Sequence, residues 1–267
     1  MKHTFAICAY KASPYLEACI RSLLAQTVPS DIILCTSTPN DYIYQVADKY
    51  QIDVYVNEAG GNISADWNFA YEKSMTELVT IAHQDDLYLK DYTQTLLSMY
   101  EKYPDMSLFT AASVTLKKGK LISFGSVEIV KKLLRLPLRF RNQADKTGIK
   151  MLALRFGNPV ICPSCAYNKK LCGENLFISD YSFVLDWEAL IKLAKKPGRF
   201  VLVEKPMIMY RVHDGAETKA AIVDHRREKE EAEIFDQLLP KPISAIVKKM
   251  YRRSYGCLLY TSPSPRD

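Results

Sequence analysis

Short apolar runs alternating with amphipathic segments fill the N-terminal part of the chain, and this alternation restricts the fold more than any other feature. Thr4–Ala9, Asp31–Cys35, Asp53–Val56 and Leu78–Ala82 each have the length and apolar content of a buried strand. Between them Leu16, Ile20, Leu23 and Thr27, then Ile43, Val46, Ala47 and Tyr50, fall at helical spacing, and Trp67 to Lys73 reads as a further helix. Such alternation makes βαβ units and a parallel sheet. The expected fold class is α/β: a Rossmann-like three-layer α/β/α sandwich with a mostly parallel central sheet. Ligands of such sheets bind at the carboxyl ends of the strands. The most polar turns follow Ala9, Cys35 and Ala82, all at that edge.

Local signals refine this outline. Ser13-Pro14 predicts a helix start, with the hydroxyl as N-cap and proline in the first turn. Beyond residue 100 the pattern is less regular: Met106–Leu116 predicts one or two strands and Lys117-Lys118-Gly119-Lys120 a hairpin-like turn. A helix is expected after Asp186, then strands at Phe200–Val203 and Met207–Val212. Val130 to Phe156 is both basic and apolar. Its Leu133, Leu134, Leu136, Leu138 and Phe140 interleave with Lys and Arg, which suits either an anionic membrane surface or a subdomain whose charges face water.

With 267 residues, 48% of them hydrophobic, the chain can build a substantial core. It holds no run of about 18 apolar residues, so no membrane-spanning helix is expected. Met1-Lys2-His3-Thr4-Phe5 leads directly into a strand-like segment, which predicts no signal peptide and a cytoplasmic chain, with the inner membrane face as an option. The seven cysteines show no scaffold spacing and are expected to be reduced thiols. Cys162-Pro163-Ser164-Cys165 with Cys172 lacks the second ligand pair of a zinc site, and Gly60-Gly61 is too short for a phosphate loop. The net charge of +6 suits an anionic partner, but no motif points to nucleic acid. The end, 257–267, reads as a translated sequencing adapter and is expected to be disordered.

Asp85-Asp86, directly after a buried strand, is the first strong chemical signal. Carboxylates at a strand end can hold Mg²⁺ or Mn²⁺ and leave positions open for phosphate, although a solvated acidic turn reads the same way. Asp186 at the start of a helix would be kept ionised by the helix dipole, whether as a general base or as a plain N-cap, with Glu188 in reserve. Arg211 and His213, two apart on a strand-like segment, project to one side. They suit donors to a diphosphate, and His213 could equally ligand a metal or lie on the surface. Trp67 and Trp187 read more readily as core than as stacking platforms, and Tyr10 better suits stacking.

Taken in order, these segments resemble a family 2 glycosyltransferase. Phe5-Ala6-Ile7-Cys8-Ala9-Tyr10-Lys11 with Tyr15 to Thr27 resembles the family's opening strand and helix. His83-Gln84-Asp85-Asp86 resembles its metal-binding motif, Gly61-Asn62 with Asp66-Trp67-Asn68 the segment between nucleotide and metal, and Leu185-Asp186-Trp187-Glu188 the motif carrying the base. Tyr210-Arg211-Val212-His213 with Thr218 resembles the late loop over the diphosphate, so the likeness runs from about residue 4 to 220. It departs from the family at Thr36-Ser37-Thr38, where an acidic turn is usual, and at Leu185, where Glu is common.

The resemblance implies a GT-A fold. It further implies an inverting transfer from a nucleotide diphosphate sugar, with UDP expected, to a glycan or lipid-linked hydroxyl in envelope or capsular polysaccharide synthesis. Asp186 would be the base, and Asp85 and Asp86 would hold Mn²⁺ or Mg²⁺. Ala9, Tyr10, Ser13, Thr36, Asp66, Trp67, Asp85, Arg211 and His213 would bind the nucleotide sugar. A transferase domain would span 1–225, its nucleotide-sugar half about 1–110 and its acceptor half about 111–225, followed by a helical extension over 226–256. Peripheral membrane contact would run through about 130–156. A catalytically silent module of the same fold is the main rival. A nucleotidyltransferase is disfavoured, because Ala9-Tyr10-Lys11-Ala12-Ser13-Pro14 has no glycine to cradle a triphosphate.

Overall fold

The computed structural model describes residues 1–122, 126–213, 215 and 217–260, the side chains of 126, 127, 141, 219 and 254–260 excepted. Strand β1 (His3–Ala9) leads to α1 (Leu16–Leu24), β2 (Asp31–Thr36), α2 (Asp41–Tyr50), β3 (Asp53–Val56), α3 (Ile63–Lys73) and β4 (Leu78–His83). Next come β5 (Leu87–Tyr88), α4 (Tyr92–Lys102), β6 (Met106–Lys117), β7 (Lys120–Ile122), α5 (Ser126–Leu134) and α6 (Thr147–Leu154). The chain ends through β8 (Ala166–Asn168), α7 (Lys169–Cys172), α8 (Leu185–Ala194), β9 (Arg199–Val212), α9 (Glu217–Val223), α10 (Arg226–Leu238) and α11 (Lys241–Tyr260).

The strands form one sheet in the order β3-β2-β1-β4-β8-β6-β9-β5, with β7 paired to β6. β3, β2, β1 and β4 are mutually parallel, as are β6 and β9; β8, β5 and β7 run against their neighbours. The expected mostly parallel α/β sheet is therefore present. Strand alternation sends Phe5, Ile7 and Ala9 to one face, against α1, α2 and α4, and Ala6 to the other, against α3, α6 and α8. Two apolar layers enclosing the sheet make the sandwich.

Three local expectations change. α1 begins at Leu16, and Ser13 does not cap it. α3 begins at Ile63 rather than Trp67, capped by Asn62, whose side chain accepts from the Ala65 amide. The two late strands are one, β9, with register shifts opposite Ala111 and Ala112, where Pro206 brings no N–H to the ladder. The C-terminal segment packs against α8, the Phe235 ring 5.2 Å from that of Trp187, with Ile234, Phe235 and Leu239 inside the same apolar layer. Within the stretch read as an adapter, 257–260 continue α11, and 261–267 lie outside the described residues.

Candidate active site

β1, β2 and β4 end side by side, and the turns leaving them hold one another. Gln84 accepts from the Tyr10 amide at 3.1 Å and donates to the Tyr10 carbonyl at 3.0 Å, tying the β4 exit to the β1 exit. The Lys11 amide donates to Thr38 Oγ1 at 2.6 Å, which joins β1 to β2. Ala9 is buried behind this edge, while the Tyr10 ring stands 54% exposed on it. Thr36, expected to reach a ligand through its hydroxyl, is buried, and that hydroxyl accepts from the Thr38 amide at 3.0 Å, so the expectation is revised. The turn after β2 has no acidic residue of its own, yet α3 delivers one. Asp66 accepts from Ser37 Oγ and from Asn57 Nδ2, both at 2.8 Å.

The ends of β4 and β9 form a second cluster. Asp86 is 2% exposed, and its Oδ1 accepts from the Arg211 amide at 2.8 Å. Burial pushes its carboxyl up to about 8, against the pull of the Arg211 amide. Asp85 is the more open of the pair. Its Oδ1 accepts from Ser13 Oγ at 3.1 Å, its Oδ2 lies 3.1 Å from His213 Nε2, and its carbonyl accepts from Arg211 Nε at 2.8 Å. Arg211 and His213 do project to one side, and Tyr15 supports both: the guanidinium stands 4.5 Å from its ring centroid and the His213 ring 4.9 Å. Sequence reasoning missed Tyr15 as a site residue, because an aromatic beside a helix start reads as core.

An oxygen-and-imidazole pair at a strand edge suits Mn²⁺ or Mg²⁺, which take one or two protein ligands and complete their shell with phosphate and water. The pair that fits is Asp85 with His213. Asp86, expected as a ligand, is turned inward and bonded to the backbone. Among the described residues no cluster of three or more His, Cys, Asp or Glu side chains could cage an ion, and Cys165 and Cys172 bond instead to the Ile161 and Ser107 carbonyls. Next to this pair, His83 lies 5.2 Å from the Trp67 ring. Burial lowers its pKa to about 4, and its Nε2 is a buried atom without a partner. Trp67 is half-buried there, in a T-shaped contact with the Phe177 ring at 5.3 Å.

Asp186 sits in the first turn of α8, but the dipole argument does not decide its charge. Burial dominates and pushes the carboxyl up to about 6, while the Trp187 amide at 2.7 Å, Lys131 and Asn158 Nδ2 at 2.9 Å pull it down. The amides preceding α8 are occupied by another group. Those of Ser182, Phe183 and Val184 donate to Glu230 of α10 at 3.0, 2.7 and 3.0 Å, so Asp186 is no N-cap. Glu188 is held by Lys192 at 3.0 Å, and Trp187 is core, 1% exposed, its indole N–H on the Leu154 carbonyl. Burial first, then Asp186 and more weakly Asp86, raise the pKa of the Cys162 thiol.

The sheet edge brings an acidic strand end against an Arg–His strand end, an arrangement that suits a nucleotide-sugar transferase. The chain belongs to glycosyl transferase family 2, whose model matches residues 4–172, and it is a glycosyltransferase. No curated protein matches the chain. Among solved structures it resembles S. aureus TarS 1–349 in complex with UDP-GlcNAc, at TM-score 0.61 and 13% identity over 93% of this chain and 70% of that one. It also resembles the mannosyltransferase PcManGT from Pyrobaculum calidifontis in complex with GDP-Man and Mn²⁺, at TM-score 0.60 and 14% identity over 98% and 76%. A third is glucosyl-3-phosphoglycerate synthase from Mycobacterium tuberculosis with Mg²⁺ and UDP, at TM-score 0.53 and 12% identity over 85% and 78%. At these identities the likeness concerns the fold.

Proposed function

We propose that the chain transfers a sugar, with inversion, from a nucleoside diphosphate, UDP first among the candidates, to a hydroxyl of a glycan or lipid-linked acceptor. The observation that carries this reading is the clasp of Asp85, Arg211 and His213, which joins residues more than a hundred positions apart at one strand edge. Asp66, with Ser37 and Asn57, stands where a base or ribose needs acceptors, and the exposed Tyr10 ring offers it a stacking face. Ala9, buried behind the edge, and the half-buried Trp67 would lie beneath the nucleotide sugar, and Ser13 would steady Asp85 through its hydrogen bond.

Asp85 and His213 would hold Mn²⁺ or Mg²⁺, with Asp86 setting the position of Arg211. A divalent ion there would offset the charge gathering on the departing diphosphate. Arg211, braced on Tyr15 and the Asp85 carbonyl, supplies a fixed cation to the same oxygens. Asp186 accepts the proton as the acceptor oxygen bonds to the anomeric carbon and the bond to the diphosphate breaks, its electron pair leaving with the phosphate oxygen. A pKa near 6 suits this role, because the group is ionised at neutral pH yet basic enough to take a proton.

The acceptor side would also touch a membrane. What supports this is the outer face formed by Ile129, Leu133 and Phe140, each more than 60% exposed, beside the exposed Lys132, Lys146 and Arg155. Other charges of the same stretch are already partnered: Arg139 pairs with Glu204 at the surface, and Lys150 is fully buried on the Lys196 and Gly198 carbonyls. No helix among the described residues is long and apolar enough to cross a membrane.

Thermal-shift titration with UDP-, GDP- and dTDP-sugars, with and without Mn²⁺, tests the donor assignment. Stabilisation by one nucleotide class that requires the metal, together with metal-dependent donor hydrolysis lost in Asp85→Ala, is the expected result. A chain indifferent to every nucleotide would overturn the reading.

A further inference from the structure

Two buried anchors hold up an exposed arch between α5 and α6. Leu138 is fully buried in the apolar layer, and Ala144 is fully buried with its carbonyl accepting from the Phe200 amide at 3.1 Å. Two 3₁₀ turns, Leu136–Arg139 and Arg141–Gln143, carry the chain over β9, and the Gln143 amide closes the arch on the Phe140 carbonyl at 2.7 Å. Arg139, Phe140, Asn142 and Gln143 are all exposed on it. With Leu202 and Glu204 of β9 they line a cavity of about 450 Å³, within the ~300–1,000 Å³ of small-molecule sites.

The lining chemistry suits one class of ligand. Arg139 Nε donates to Glu204 Oε1 at 2.8 Å, so the two charges of the cavity cancel and favour neither an anion nor a cation. This pair is fixed but not saturated: among the described residues Arg139 Nη1 and Glu204 Oε2 make no hydrogen bond. Nor do the side-chain amides of Asn142 and Gln143. Donors and acceptors are thus interleaved around the opening, which matches adjacent hydroxyls, each able to donate and to accept. The Phe140 ring, 66% exposed, offers an apolar face to the C–H side of a pyranose. A lipid tail would need an apolar floor, and only Phe140 and Leu202 are apolar here.

Leu202 belongs to the same apolar layer as Leu185, the neighbour of Asp186, so the cavity and α8 share one face of the sheet. Arg211 follows Glu204 along β9 by a distance of up to about 23 Å, at about 3.3 Å per residue. An acceptor that fills the cavity and also reaches the donor is therefore a chain of sugars, not a single ring. Building on the transferase reading, we infer that this cavity is a subsite for an uncharged stretch of an oligosaccharide acceptor, held away from the hydroxyl that is glycosylated. Phe140 stacks on a ring, and Arg139, Glu204, Asn142 and Gln143 bond its hydroxyls. Phe140 also borders the outer face read above as membrane-facing, so a glycan held here lies beside that surface.

The test is binding of neutral tetrasaccharides of glucose, galactose, mannose, rhamnose and N-acetylglucosamine to the full chain, first on an array and then by calorimetry, without donor or metal. At least one series should bind, and as an acceptor its tetrasaccharide should exceed its monosaccharide in kcat/KM by about tenfold. Phe140→Ala, and Asn142→Ala combined with Gln143→Ala, should each weaken binding about five- to tenfold with little change in melting temperature, because these side chains are exposed. The amide pair leaves the apolar outer face intact, so its effect separates glycan from lipid. Binding of no series would overturn the inference, as would binding that neither variant weakens. Binding confined to oligosaccharides with uronic acids or phosphates would also overturn it, marking a general basic surface. If glycans bind while UDP and Mn²⁺ fail to stabilise the chain, the glycan site stands and its acceptor role falls with the transferase reading. The reverse pair of results sinks the cavity alone.

Discussion

Replacing Asp186 with Asn separates the cost of the proposed base from its use. Moving a carboxyl from its ordinary 3.8 to about 6 means that the folded chain prefers the protonated form by about 3 kcal/mol. Below the unfolded value both states carry the proton and nothing is lost. As pH rises from about 4 to 6 the unfolded chain ionises first, so stability falls, and above 6 the whole penalty persists. Asp186 keeps some solvent contact, which reduces the expected penalty to about 2 kcal/mol. Asn cannot ionise, but it sets an amide against Asn158 Nδ2, at a cost of about 1 kcal/mol at every pH. The variant should therefore melt below wild type at pH 3 and above it at pH 8, the difference swinging by about 4–8 °C, while turnover falls about 100-fold or more. Differential scanning fluorimetry across pH, paired with transfer assays, reads both. A melting difference that stays flat with pH would refute the assignment of burial as the dominant influence on this carboxyl.

The other predictions are simpler. Wild-type turnover should rise through about pH 6 as Asp186 loses its proton, and a profile level from pH 5 to 7.5 would remove it as the base. His213→Ala should weaken Mn²⁺-dependent nucleotide affinity by about tenfold or more in titration calorimetry and change metal-free binding little. The bonds to Glu230 from Ser182, Phe183 and Val184 outweigh its burial and hold its carboxyl below the usual 4.5. Glu230→Gln should lower stability by about 2–3 kcal/mol in urea at pH 7, and the deficit should shrink as pH falls through the carboxylate range and wild type loses the same bonds. Gly198→Ala, at φ 108° and with a Cβ 2.6 Å from that of Ser107, should cost about 2–4 kcal/mol. Co-sedimentation with anionic vesicles at low salt, weakened by Leu133→Glu, tests the membrane face.

Some elements escaped sequence reading for reasons of length. β5 and β8 have two and three residues, too few for a period-two signal, and the sheet holds them only because β9, β4 and β6 offer partners. β9 read as two strands because Lys205-Pro206 looks like a turn, yet pairing with β6 carries the backbone straight through it with a shifted register. The missing acid after β2 showed a different limit. Nothing in Thr36-Ser37-Thr38 announces that Asp66, thirty residues on, will fold back to accept from Ser37.

The order of strands and helices, the edge where ligands gather and the acidic pair after β4 all follow from the chain read by itself, because apolar periodicity and turn chemistry act between residues a few positions apart. Which carboxylate faces outward was decided by folding. Asp85 and Asp86 are neighbours of identical chemistry, and only the arrival of Arg211 and His213 turns one inward onto an amide and leaves the other beside an imidazole. The charge of Asp186 was decided the same way, by burial set against the Trp187 amide, Lys131 and Asn158. Desolvation and the ownership of hydrogen bonds depend on what packs alongside, and those neighbours come from distant parts of the chain.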